Sequence, residues 1–507
     1  MCNFNKLFSL NIFIILISFI SCSTLFNKTT FTPPLLLILS FDGFRWDYPD
    51  IYQLTTFNSI IQRGVHVNYI ENSFVTATFP SHFTMATGFY EETHGIVGNI
   101  MYDPQLNATA AYSTLNDTKW WSQNSQTQPI WISNQLANDS LQRKSGVISW
   151  PGSSVPINGH LPSRYLPFNE TRTCRSSIQQ MLDWFREPVE TRINFGAIYC
   201  SEPDRTGHAH GPISNEMNQT LHGCDDDLRE FLRIIDDDVY LKANLNVIVT
   251  ADHGMHEIKE NHTIKLINYI DSSLYKLYGT RTYMNMFIPS AENIDRIYKN
   301  LSTIPNLQVY KKSQIPEKYH YKSNVRIGDI FLVSKLGWEI IAPDDDGSHK
   351  FFGNHGHDNQ EKSMHPIFYA FGPAFQTNFS GEPFHSVDYY PLMSYILQLK
   401  PRQTNGSLDN VKSILKDLSN QNLFDRIHTL LNKTTTKVSS WGYLTIGCLI
   451  LVLLTALLFT TVACRHSRQL IYVQSEYPPI RYRLLSVNEG STNNLVVSES
   501  DNEDEMN

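Results

Sequence analysis

Three apolar runs in this chain each give way, within a few residues, to an aspartate. Leu35 to Ser40 leads to Asp42, Asn194 to Cys200 leads to Asp204, and Leu245 to Thr250 leads to Asp252. The first and third runs are almost continuously apolar, the pattern of strands buried on both faces of a largely parallel sheet. Pro366 to Phe371 reads as a fourth strand, and Ile178 to Phe185 and Asn218 to Ile235 read as helices between strands. Alternating strand and helix predict an α/β sandwich, a central, largely parallel sheet flanked by helices. In such sheets ligands bind beyond the carboxyl ends of the strands. Three separate strands are therefore expected to deliver carboxylates to one rim.

Histidines join these aspartates at spacings that suit a metal. Asp204-Arg-Thr-Gly-His208 sets two ligands at i and i+4, with Gly207 leaving room for a tight turn between them. Asp252-His253-Gly254 sets two side by side at a strand end, and His355 sits in Gly-Asn-His-Gly-His-Asp-Asn, a loop able to turn sharply. Zinc takes imidazole nitrogen and carboxylate oxygen and keeps an open position where it is catalytic. An isolated Asp-His pair is more often a solvated loop pair than a ligand. The combination of all the clusters in one strand context reverses those odds and reads as a two-zinc site. Thr78, in Thr-Phe-Pro-Ser, adds a candidate nucleophile, whose hydroxyl needs a base or a metal ligand bond to become reactive. Residue chemistry alone gives no reason to prefer it to Thr76. Two metals a few ångströms apart stabilise the attacking and leaving oxygens of an in-line displacement at phosphorus. Asn99, in Gly-Ile-Val-Gly-Asn, is a candidate amide donor to the charge that develops.

The ends of the chain predict where this chemistry takes place. Residues 1–23 read as a secretory signal: Lys6, an apolar stretch from Leu7 to Ile20, then small residues. Residues 441–464 carry no charge, are long enough to span a bilayer, and are followed at once by Arg465 and Arg468, as on a cytoplasmic flank. The expected order is an extracellular catalytic domain over 24–405, a terminal helix and stalk over 406–440, one transmembrane helix over 441–464, and a cytoplasmic tail over 465–507. That is a single-pass type I protein of the cell surface. Glycosylation sequons at Asn27, Asn107, Asn116, Asn138, Asn169, Asn218, Asn261, Asn300, Asn378, Asn405 and Asn432 all precede the span, and the tail has none. Outside the signal and the span only Cys174, Cys200 and Cys224 remain, so at most one internal bridge forms. A net charge of −8 without a long basic block argues against a nucleic-acid scaffold.

Taken in order, the motifs resemble the ectonucleotide pyrophosphatase/phosphodiesterase family of the alkaline phosphatase superfamily, from about Leu35 to Leu399. They are Leu-Ser-Phe-Asp42-Gly-Phe-Arg, Thr78-Phe-Pro, Gly-Ile-Val-Gly-Asn99, Trp150-Pro-Gly-Ser, Glu-Pro-Asp204-x-x-Gly-His208-x-x-Gly-Pro, Asp252-His253-Gly-Met and Gly-Asn-His355-Gly-x-Asp-Asn. The resemblance implies an alkaline phosphatase-like fold with two zinc ions. Asp42, Asp252 and His253 would hold one ion, and Asp204, His208 and His355 the other. Thr78 would be the metal-activated nucleophile and Asn99 the oxyanion-stabilising amide. Phe79 and the aromatic segment Tyr165-Leu-Pro-Phe168 match positions that hold the nucleotide base, with Phe168 where the family has a stacking tyrosine. A single catalytic domain with a C-terminal span is most similar to the family's fourth and fifth members, the fifth above all. That similarity implies hydrolysis of extracellular NAD, ADP or dinucleoside polyphosphates to nucleoside 5′-monophosphates through a phospho-threonine.

There are departures from the family pattern. Ser81, Ser154 and Cys200-Ser201 replace other usual residues, and Gln126 and Gln128 lie just before Pro129-Ile130-Trp131 where ATP-cleaving relatives have a lysine. These affect the expected substrate, ATP especially, and leave the metal set intact. A choline-lipid phosphodiesterase and a non-catalytic receptor or adhesion protein are the alternatives; the second has no need of six retained ligands.

Overall fold

The computed structural model describes residues 32–416 except 113, 140, 346 and 349. Its largest sheet has eight strands: β1 (Leu35–Phe41), β2 (Gly64–Val67), β3 (Ser145–Ile148), β4 (Arg164–Leu166), β5 (Phe195–Cys200), β6 (Leu245–Thr250), β7 (Phe368–Phe371) and β8 (Phe379–Gly381). They lie in the order β8-β2-β7-β6-β1-β5-β3-β4. The three aspartate-bearing strands are therefore adjacent, β1 pairing in parallel with β5 on one side and β6 on the other. The sheet is mixed rather than uniform: β7, the strand foreseen from Pro366, runs antiparallel to both β6 and β2, and every other pairing is parallel.

Every residue of β1 is buried, which explains its unbroken apolar run. Leu35, Leu37 and Leu39 pack with helices α1 (Thr55–Arg63), α3 (Cys174–Arg186) and α5 (Asn215–Asp237) in one apolar core. Helix α3 is capped by the Thr173 hydroxyl, which accepts from Ser176 N–H. It buries Ile178, Met181, Leu182 and Phe185, the spacing of one helical face. Ser214 caps α5 in the same way, and Met217, Leu221, Cys224, Leu228 and Leu232 line its inner side. On the other face of the sheet, Ser40 Oγ meets His82 Nε2 at 3.0 Å, which places α2 (Thr78–Thr87) there. Helix α6 (Tyr389–Ile396) packs against α2.

Asp204 and His208 lie on helix α4 (Asp204–His210), not on the tight turn expected from Gly207. Helical winding itself brings i and i+4 to one face. Gly207 serves packing instead, since a Cβ there would meet Met255 at 2.8 Å. A second, four-stranded antiparallel sheet comprises Lys276–Gly279, Tyr283–Phe287, Ile330–Ser334 and Leu307–Lys311, with its own apolar core around Met286, Leu301 and Leu332.

Cys174 and Cys200 form the one bridge that three cysteines allow, tying the start of α3 to the end of β5, and Cys224 is a buried free thiol. Nine of the eleven sequon asparagines lie in the described residues, and all nine are exposed. Over 406–416, part of the segment expected as terminal helix and stalk, the chain makes two 3-10 turns, Leu408–Asn410 and Lys412–Ile414. Ile414 and Leu415 are buried there, and Leu415 bridges to Phe375. Among the described residues no helix is long and apolar enough to cross a membrane. The expected signal, the span over 441–464, the tail, Asn27 and Asn432 lie outside the described residues.

Candidate functional site

Asp42, Asp204 and Asp252 converge because each follows a parallel strand of one adjacent trio. Gly43, at φ +69°, lets the chain turn sharply after Asp42; a Cβ there would come within 3.0 Å of Asp204 Cα. Gly43 N–H donates to Asp252 Oδ1 at 3.0 Å, and His253 N–H donates to the same oxygen at 3.0 Å. Asp252 Oδ2 is left without a hydrogen bond, as are Asp42 Oδ1 and Asp204 Oδ1, all three buried.

The histidines complete the cluster. His253 Nε2 lies 3.3 Å from Asp42 Oδ1 and 3.2 Å from Asp252 Oδ2. His355 Nε2 lies 3.5 Å from Asp204 Oδ1, and His208 Nε2 lies 3.3 Å from Asp204 Oδ2. Each ring is held from behind by a backbone carbonyl: His208 Nδ1 on Gly353 O, His253 Nδ1 on Gly254 O and His355 Nδ1 on Thr76 O, all at 2.9 Å. A carbonyl only accepts, so Nδ1 carries the proton and each Nε2 turns a lone pair towards the carboxylates. That is the arrangement of a metal-ligating histidine with its outer partner.

The electrostatics point the same way. Burial, with Asp252 and Asp204 close by, pushes the Asp42 carboxyl well above its ordinary range. Burial raises Asp204 too and moves Asp252 up to about 8. It depresses His253 to about 3 and holds His355 well below its ordinary range, with His253 and His208 adding to the latter effect. Buried acids that resist ionisation beside buried imidazoles that resist protonation lack a cation, and a divalent metal would favour carboxylate and neutral imidazole together. Among the described residues, two groups have ligand atoms within 4.8 Å of one another: Asp42, Asp252 and His253, and Asp204, His253 and His355. The first matches the set implied by resemblance. In the second, His253 is shared, and His208 is reached through Asp204 and a ring-to-ring distance of 5.1 Å to His355.

Thr78 is the first residue of α2, with its Oγ1 3.4 Å from His253 Nε2. The Thr76 hydroxyl is engaged elsewhere: its Oγ1 donates to His357 O at 3.0 Å and accepts Gly356 N–H at 3.1 Å. Asn99 is buried, its Oδ1 accepting Phe79 N–H at 2.9 Å and its Nδ2 donating to Tyr112 Oη at 2.8 Å. Thr78, Phe79 and Asn99 are thus joined. The Phe79 ring meets Tyr112 edge-on at 5.5 Å. Phe168 is 51% exposed and leans on Tyr199 at 6.0 Å. Tyr165 is on β4, the outer strand, three strands or roughly 14 Å from β1.

Sequence reasoning missed Tyr199 and Tyr112. Tyr199 Oη donates to Asp42 Oδ2 at 2.5 Å from its place on β5 opposite Ser40, a pairing the sequence does not show. Tyr112 is 60% exposed in a segment without periodicity.

The sequence family described as type I phosphodiesterase / nucleotide pyrophosphatase matches over residues 36–358. Human ectonucleotide pyrophosphatase/phosphodiesterase family member 5 is 38% identical over 411 residues, spanning 79% of this chain and 83% of the relative. Human bis(5′-adenosyl)-triphosphatase is 36% identical over 395 residues, 77% of this chain and 84% of the relative. The solved structure of murine member 5, an inactive variant with alanine for a threonine in complex with AMP, superposes with a TM-score of 0.71 at 38% identity. It covers 76% of this chain and all of that one (100%).

Proposed function

Because this chain belongs to the type I phosphodiesterase / nucleotide pyrophosphatase family, we propose that it is a two-zinc hydrolase. It cleaves NAD, ADP and dinucleoside polyphosphates to nucleoside 5′-monophosphates. The observation that carries the reading is the buried cluster around Thr78: three carboxylate oxygens without hydrogen bonds and three Nε2 lone pairs facing one another. That donor set fits zinc, with Asp42, Asp252 and His253 holding one ion and Asp204, His208 and His355 the other. Zinc bound there would supply the positive charge that activates a hydroxyl and neutralises a phosphate.

The chain's own residues do the rest. Thr78 Oγ1 attacks phosphorus, an O–P bond forms, and the P–O bond to the second phosphate breaks with its electron pair leaving on that oxygen. The hydroxyl proton passes to solvent. Water then cleaves the phospho-threonine, releasing the 5′-monophosphate and restoring the hydroxyl. Asn99 has a second amide hydrogen beyond the one given to Tyr112, and donates it to the oxygen on which charge develops. The position of Thr78 at the start of the ten-residue α2 adds the positive end of a helix dipole. Phe79 and Phe168 hold the base by their ring faces, with Tyr165 more remote. The AMP complex of the murine relative supports a nucleotide site, and its inactive alanine variant supports a threonine nucleophile.

The same reading puts the catalytic domain outside the cell, with a signal over 1–23 and an anchor over 441–464. Its support is the exposure of every described sequon asparagine.

AMP release from NAD, ADP and diadenosine triphosphate by the full chain tests the proposal. Chelation should stop release and zinc should restore it. A zinc-loaded protein that releases no AMP from any of the three refutes it.

A further inference from the structure

Beside the metal-ligand cluster lies a cavity of about 780 Å³ that the catalytic residues do not fill. Its floor includes Asn99, His208 and His355, so whatever occupies it is continuous with the reacting phosphate. The volume falls in the roughly 300–1,000 Å³ range of small-molecule sites and far exceeds the needs of one phosphate group. It opens on the His208 and His355 side, whereas Phe168 reaches the cluster from the Asp42 side, through Tyr199.

The walls are aromatic. Tyr278 lines the cavity and is held in place by Tyr102, stacked at 4.9 Å and 9°, and by Phe287 edge-on at 5.8 Å. Phe351 lines it beside the cluster, 5.0 Å from the His208 ring. Tyr112, an exposed side chain, also lines it. Asp344 and Asp345 line it as well.

Arg281 is the one lysine or arginine among the described lining residues, and it is committed to carboxylates. Its Nε and one terminal nitrogen each donate to Asp345 at 2.7 Å, and its other terminal nitrogen lies 3.4 Å from Glu339. A bidentate guanidinium–carboxylate pair leaves little to clamp a second anion. Its described residues therefore offer ring faces and negative charge, and among them no open lysine or arginine for a terminal phosphate.

We propose that this cavity is a leaving-group subsite for the second nucleoside of a dinucleotide. The proposal rests on the hydrolase reading above and narrows it: dinucleotides are preferred to nucleoside di- and triphosphates because their departing half ends in an aromatic base. A cationic ring such as the pyridinium of NAD gains further from Asp344.

The test compares substrates that share an AMP half and differ in what departs: NAD, diadenosine triphosphate and ADP, each with the zinc-loaded full chain. Tyr278→Ala removes a stacking face and should lower kcat/KM for NAD and diadenosine triphosphate by about tenfold, with ADP changed by less than about twofold. Inhibition by AMP should be unchanged. Asp344→Arg, at an exposed position, should move NAD down and ADP up, opposite directions that a general loss of structure cannot produce. An equal fall for all three substrates, or weaker AMP inhibition, overturns the subsite. If the unaltered chain hydrolyses none of them, the hydrolase reading fails separately. Equilibrium binding of diadenosine triphosphate then decides the subsite: a Kd unchanged by Tyr278→Ala refutes it.

Discussion

Tyr199→Phe isolates a single atom of the proposed metal centre. The ring of Tyr199 meets His82 at 5.1 Å and Phe168 at 6.0 Å, and phenylalanine keeps both contacts. Only the hydroxyl is lost, and with it the 2.5 Å hydrogen bond to Asp42 Oδ2. Asp42 Oδ1 has no hydrogen bond, so that hydroxyl is what orients the carboxylate. A hydrogen bond to a charged group is worth about 1.5–3 kcal/mol, or roughly 10–150-fold in an equilibrium constant. Outer-shell partners of metal ligands typically cost about 10–100-fold when removed. Zinc affinity at the Asp42, Asp252 and His253 site should accordingly weaken by about 10–100-fold, measured by competition against a chelator of known affinity. Turnover at saturating zinc should recover most of the unaltered rate, because Thr78, Asn99 and the six ligands remain. Zinc affinity within about twofold of the unaltered protein, with the fold intact by circular dichroism, would refute the claim that Tyr199 positions a ligand.

Three further outcomes are expected. Thr78→Ala should abolish AMP release while zinc content stays the same; activity near that of the unaltered chain removes the nucleophile. Phe168→Ala should raise KM for NAD more than for a small nitrophenyl phosphodiester, and equal effects would argue against base stacking. The chelated protein should lose thermal stability between about pH 7 and 8.5. Asp252 is raised to about 8 in the folded state, above the unfolded value of about 3.9, so the folded metal-free chain holds a proton that the unfolded chain releases. His253, depressed to about 3, has the opposite sign, but it is neutral in both states above about pH 7. Glu91, raised to about 8 by burial, acts alike with and without zinc. The difference in Tm between chelated and zinc-loaded protein should therefore widen with pH over that interval, and a constant difference would contradict the burial of Asp252 as an unpaired acid.

The aspartates were legible because β1 and β6 are buried on both faces and must be apolar throughout. The strands β2, β3, β4 and β8 were not: each has four residues or fewer and no longer apolar run around it, whereas the equally short β7 is prolonged by Pro366 and Ile367. Residue chemistry could not separate Thr76 from Thr78, two threonines at one locus; the resemblance pointed to Thr78, and their contacts differ, Thr76 bonding to His357 O and Gly356 N–H while Thr78 faces His253. The expected turn at Gly207 failed for a related reason, since glycine marks close approach as readily as bending. Tyr199 escaped notice because a strand tyrosine gives no sign of which acid its hydroxyl will meet. The subsite at Tyr278 depends on a second sheet whose strands carry no chemistry of their own.

The carbonyls behind His208, His253 and His355 belong to Gly353, Gly254 and Thr76, and every amino acid has such an oxygen. No side-chain replacement at those three positions deletes the acceptor. The orientation of the imidazoles is thus insulated from ordinary substitution and exposed to insertion and deletion, which shift the register of the main chain. One residue added or removed between Gly353 and His355, or beside Thr76, should disarm the histidines more thoroughly than any exchange of their neighbours. Descendants of this fold can then drift far in composition while their loop lengths here stay constant.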